Sequence, residues 1–131
     1  MSEKNNLKKY LNILLILFLV FSPFNLHSEE VQEFSINVGN YFFKPNKITV
    51  KVNQPAKLSL IRGIGITPHN FTLEDSNTGL NIFENLKSGT ITVIEFTPKK
   101  IGEFNFYCKN KFPFAKSHKE KGMVGIIKVI K

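Results

Sequence analysis

The apolar positions of this chain fall in short runs, mostly of period two, and turn residues separate the runs. Over residues 34–38, Phe34, Ile36 and Val38 alternate with Ser35 and Asn37. Over 48–52, Ile48, Val50 and Val52 alternate with Thr49 and Lys51, and Asn53-Gln54-Pro55 then turns the chain into 57–61. Successive residues of a strand face opposite sides of a sheet, so this alternation predicts strands with one buried face. Gly63 and Gly65 break the run at 57–61, and further strands are predicted at 69–73, at 90–96 after Ser88-Gly89, at 103–108 after the turn from Pro98 to Gly102, and at 123–130. Only 80–87 suits a short helical turn, and Glu74-Asp75 reads as a turn. Seven or eight short strands with no amphipathic helix between them predict an all-β fold, a Greek-key antiparallel β-sandwich.

The amino end follows a different rule. Lys4, Lys8 and Lys9 precede an apolar run over 11–21 broken only by Asn12, and Ser22-Pro23 and a polar stretch follow. A basic start, a short apolar segment and a small residue at Ser28 predict a signal peptide over 1–28 and an exported, periplasmic domain over 29–131. The apolar run is short of the roughly 20 residues a membrane span needs, so no stable membrane insertion is expected after cleavage. The domain is long enough for a single core.

Charge adds a second constraint. The chain has 18 basic and 10 acidic residues, and Lys4, Lys8, Lys9 and Glu3 are the only charges ahead of residue 28. The excess of lysine in the domain favours an acidic partner or an anionic surface. Export, and the lack of aromatic residues interleaved with the charges on one face, argue against nucleic acid.

Past residue 28 the chain has one cysteine, one methionine and two histidines, in the order His69, Cys108, His118, Met123. A single cysteine makes no internal disulfide, and an unpaired thiol in an oxidising compartment is exposed to oxidation unless buried or bound to metal. Two imidazoles and a thiolate in a plane, with a weak thioether on the axis, make a blue-copper electron-transfer site. Every soft or borderline metal ligand of the domain is used once in that set, and so the set is informative.

Three stretches give the chain a family resemblance: Phe43-Lys44-Pro45-Asn46-Lys47-Ile48-Thr49-Val50, Pro68-His69-Asn70-Phe71, and Gly102-Glu103-Phe104-Asn105-Phe106-Tyr107-Cys108 followed by His118 and Met123-Val124-Gly125. They resemble the cupredoxins, among them plastocyanin, azurin and pseudoazurin, and in particular the small exported domains also found attached to periplasmic iron-uptake proteins. The resemblance implies one copper ion with His69, Cys108 and His118 as equatorial ligands and Met123 as axial ligand. It also implies that Asn70 ties the two ligand segments together and that His118 shows its free ring edge at the surface as the electron doorway. One departure stands out: nine residues separate Cys108 from His118, where familiar members have two to four. Pro113, flanked by Phe112 and Phe114, offers a turn that folds such a loop back.

The expected function is therefore one-electron transfer by a monomer, without substrate turnover, to a redox partner that is acidic because Lys109, Lys111, Lys116, Lys119 and Lys121 crowd the last loop against Glu120 alone. Two alternatives remain at this level. If Met123 stays off the metal, an open position makes a copper oxidoreductase. If the metal is cargo, the protein traffics or sequesters copper, although no Met-rich or His-rich tail is present. No nucleophile-and-base motif or phosphate loop appears.

Overall fold

The computed structural model describes residues 2–20, 29–75 and 80–131. The amino-terminal helix α1 runs Ser2–Val20, and among the described residues no helix is long and apolar enough to cross a membrane. Ser28 and the rest of 21–28 lie outside the described residues.

Nine strands follow among the described residues: β1 (Gln32–Gly39), β2 (Phe42–Lys44), β3 (Lys47–Lys51), β4 (Ala56–Arg62), β5 (His69–Asp75), β6 (Leu80–Leu86), β7 (Ile91–Phe96), β8 (Gly102–Tyr107) and β9 (Val124–Ile130). They form two sheets, of order β2-β1-β4-β7 and β3-β9-β8-β5-β6, so the chain passes repeatedly from one sheet to the other. The sandwich is thus as the alternation predicts, with mixed sheets: β1 runs parallel to β4 and β3 parallel to β9, the remaining pairs being antiparallel. Each parallel neighbour is reached by a crossover through the opposite sheet. Residues 80–86 form a strand rather than a helical turn, because Leu80 to Leu86 pair in register with Asp75 to His69. For the same reason Glu74 and Asp75 close β5 instead of making a turn.

Period two explains the core. In β4, Ala56, Leu58, Leu60 and Arg62 are buried while the residues between them are half-exposed. Ile36 and Val38 of β1 join this layer, and Ile48, Val50, Phe71, Leu73, Phe104, Phe106, Ile127 and Val129 close on it from the other sheet. Strand β5 departs from alternation, with five consecutive buried residues from His69 to Leu73. It lies between β8 and β6, and its second face carries Asn70 and Thr72, which satisfy each other by a hydrogen bond of 3.2 Å.

Beside the ligand segments sits an aromatic cluster. Phe71 and Phe106 stack with ring centroids 4.8 Å apart, and Phe43 meets both edge-on at 6.1 and 5.1 Å. Phe71 is two residues beyond His69 and Phe106 two before Cys108, so each shares a strand face with its ligand residue. Gly125 is what lets β9 approach: a Cβ there would lie 2.2 Å from the Phe106 ring and 2.6 Å from the Asn46 carbonyl oxygen. Deleting the stacked ring removes packing at this point, and Phe106→Ala is expected to lower stability by about 3–5 kcal/mol. Overpacking the same contact by Gly125→Ala should cost about 1–3 kcal/mol. Both are read as lower urea midpoints with an unchanged m-value.

Candidate metal centre

His69 opens β5, Cys108 follows β8 directly, and His118 and Met123 lie on the connection from Cys108 to β9. The nine-residue loop closes on itself by backbone hydrogen bonds. The His118 N–H donates to the Asn110 carbonyl (2.9 Å) and the Ala115 N–H to the Phe112 carbonyl (3.2 Å). Its tip at Phe114 takes a positive φ of 60° and is fully exposed. Beyond it, Ser117 accepts from the Glu120 N–H through its hydroxyl while the Glu120 carboxylate accepts from the Ser117 N–H, a reciprocal cap on the turn that carries His118. Gly122, at φ 94°, supplies the left-handed residue that ends this turn. The Met123 N–H then donates to the His118 carbonyl (3.0 Å), and the Met123 carbonyl accepts from the Cys108 N–H (3.1 Å). Length therefore does not separate the ligands. The extra residues loop outward from a closed base.

Three of the four sequence-predicted side chains, His69, Cys108 and His118, meet at that base. The two Nδ1 atoms of His69 and His118 are 3.2 Å apart, and Cys108 Sγ lies 3.4 Å from His118 Nδ1 and 3.9 Å from His69 Nδ1. All three residues are buried, and their donor atoms lie within 4.8 Å of one another. Bonds of about 2.0–2.3 Å in a trigonal plane would set donors roughly 3.5–4 Å apart, so the three fit one ion. Met123 is fully buried and its backbone joins the other two loop residues.

Asn70 holds the segments in place. Its side-chain oxygen accepts from the Lys109 N–H at 2.7 Å, its Nδ2 donates to Asn110 Oδ1 at 2.8 Å, and its own N–H donates to Cys108 Sγ at 3.4 Å. Asn110 in turn donates through Nδ2 to the Pro68 carbonyl at 2.8 Å. The expected tie between the ligand segments is present, and Asn110 doubles it.

Burial governs the electrostatics. Desolvation pushes the Cys108 thiol up, opposed by hydrogen bonds from the Asn70 and Asn110 backbones and by the Arg62 charge. Desolvation, then the neighbouring His118 and Arg62, lower His69 from 6.5 to about 4, and desolvation and Lys121 lower His118. Without metal the cluster is a neutral thiol with two neutral imidazoles, whose lone pairs are free for a cation; binding releases the thiol proton.

One expectation is overturned. His118 has no exposed edge: it is 0% exposed, and its Nε2 is buried without a hydrogen-bond partner. Tyr41 stands edge-on to it with ring centroids 4.9 Å apart, and Phe112 lies at 5.9 Å. Tyr41 occupies the tip of the β1–β2 hairpin at φ 66° and Lys121 Nζ sits 4.2 Å above its ring. Sequence reasoning passed over Tyr41, Arg62 and Asn110; a hairpin tip from one sheet covering a loop from the other leaves no local pattern.

A family model of the cupredoxin-like domain matches residues 12–124. The chain belongs to this family. Among solved structures, this cupredoxin-like domain is similar to the metal-binding domain of the Cu(I)-exporting P-type ATPase CopA of Streptococcus pneumoniae, at 20% identity and TM-score 0.60, covering 82% of this chain and 92% of that one. It is similar also to a copper-binding protein solved in its apo form, at 25% identity and TM-score 0.57, covering 76% and 88%. A third is auracyanin A, a "blue" copper protein of Chloroflexus aurantiacus, at 15% identity and TM-score 0.61, covering 77% and 100%. No curated protein matches the chain.

The lowered imidazoles set a pH dependence for the metal-free domain. As pH falls, the unfolded chain takes up protons near 6.5 while folded His69 waits until about 4. The His69 contribution to the stability of the metal-free protein is therefore fully present above about 6.5 and lost progressively from there toward 4. His69→Asn should flatten that slope in chemical denaturation measured across this range.

Proposed function

We propose that this chain is an exported copper protein that carries single electrons. His69, Cys108 and His118 would hold the copper, and Met123 would add a weak thioether donor. The observation that carries the reading is the closure of one thiol and two imidazole nitrogens to 3.2–3.9 Å in a buried site. The similarity to a copper-binding protein and to a "blue" copper protein supports copper as the metal. Copper bound there supplies one-electron exchange between Cu(I) and Cu(II). The protein's part is to keep the donors still, since a large rearrangement between the two states raises the barrier. Strands β5 and β8, the Asn70–Asn110 bonds and the closed loop do so, and the Phe43–Phe71–Phe106 cluster packs dry beside them. A fixed, buried donor set favours transfer of electrons over turnover of a bound substrate.

Loaded with Cu(II), the protein should show an intense thiolate-to-copper band in the visible. Cys108→Ala is expected to abolish it, and His69→Ala or His118→Ala to change or destroy it. Met123→Leu should keep colour and metal while raising the reduction potential, because losing a weak donor destabilises Cu(II) more than Cu(I). An unchanged potential removes Met123 from the site, and an unchanged spectrum in Cys108→Ala removes the site itself.

The lysines of 109–121 support an acidic redox partner. Lys109 pairs with Glu74 at 3.2 Å and Lys119 and Lys121 lie over Tyr107 and Tyr41, whereas Lys111 and Lys116 stand exposed. Electron exchange with an acidic acceptor should slow as salt rises toward 0.1 M, where exposed charges are screened over about 10 Å. Reversing Lys111 and Lys116 to Glu should slow it at low salt and leave the copper spectrum alone. Stopped-flow rates independent of salt and of this reversal would make the loop a solvated basic surface.

A further inference from the structure

Arg62 ends β4 and is only 8% exposed. Its Nη1 donates to the Leu86 carbonyl, and its Nη2 to the carbonyls of Gly65 (3.3 Å) and Thr67 (2.5 Å). All these acceptors are neutral, and among the described residues no carboxylate pairs with it. A buried cation without a counter-charge is costly unless something else compensates it.

Beside it lies a cleft of about 110 Å³ bordered by Asn40, Arg62, Gly63, Ile64, Gly65 and His69, with no acidic residue in its wall. His69 borders this cleft beside the guanidinium and turns Nδ1 toward Cys108 and His118. The other histidine is placed differently, with Tyr41 and Phe112 packed around its ring.

We propose that this cleft binds one small inorganic anion, of the azide, thiocyanate or halide class, between Arg62 and His69. The volume is that of three or four waters at roughly 30 Å³ each, enough for a triatomic anion. Bound there, the anion compensates Arg62 and stands next to a ligand of the proposed copper centre. Negative charge at that distance favours the oxidised metal and lowers the reduction potential. This last consequence rests on the copper reading, whereas the anion site itself rests on Arg62 and the cleft.

The test uses metal-free, ¹⁵N-labelled protein and sodium thiocyanate, with ionic strength held constant by the salt of a bulky sulfonate. Saturable shifts are expected at the amides of Gly63, Gly65 and His69 and at Arg62 Nε–H. Arg62→Gln should weaken binding at least tenfold, with Arg62→Lys retaining part of it. Shifts that never saturate, that saturate only in the lysine loop 109–121, or that keep their affinity in Arg62→Gln would overturn the site. The wild-type map decides by itself if Arg62→Gln fails to fold. Since no metal is present, loss of the anion site leaves the copper assignment standing, and a colourless copper-loaded protein leaves the anion site standing.

Discussion

The centre depends on the hydrogen bonds of one buried side chain. Strands β5 and β8 carry His69 and lead to Cys108, yet they share a single bridging pair, Thr72 with Tyr107. Past that pair the ladder stops, and the backbone groups of 108–110 need other partners. Asn70 provides one for the Lys109 N–H, and it also gives its side-chain amide to Asn110 Oδ1 and its own N–H to the Cys108 sulfur. An amide side chain has both donors and an acceptor, so one residue can close both segments where an ionised carboxylate, which only accepts, could not.

That fastening makes a burial the protein could not otherwise hold. Thiol, imidazoles and guanidinium are withdrawn from water together, and the shifts of the thiol and the two imidazoles run toward their neutral forms. A cation that arrives among such groups finds lone pairs without a hydration shell to displace. Desolvation is thus both the cost of building the site and the source of its readiness for a soft metal.

The two imidazoles differ in surroundings although they meet at one point. His118 rides on a tight, capped turn under Tyr41 and Phe112, while His69 borders a cleft walled by Arg62 and glycines. The asymmetry comes from the sandwich itself. The β1–β2 hairpin belongs to one sheet and folds its tip across the loop of the other, while its Gly39 and Asn40 border the gap beside β4's end.

The alternation of apolar and polar residues determined most strands and the sandwich, because a strand with one wet face must repeat every two residues. It failed where that condition fails: 80–86 lacks a clear alternation, with buried ends and a largely exposed middle, and became a strand only because β5 offered it an edge. Scarcity likewise made His69, Cys108, His118 and Met123 readable, since each soft or borderline donor past residue 28 occurs once, in the order the resemblance implies. What only the tertiary structure decided is what covers those donors. Tyr41 and Arg62 lie 77 and 56 positions from His118 in the chain, with no period or motif linking them to it. Whether an imidazole edge meets solvent, an aromatic ring or a cation follows from which hairpin tip crosses which loop. That is set by the packing of two whole sheets, which no local run of residues encodes.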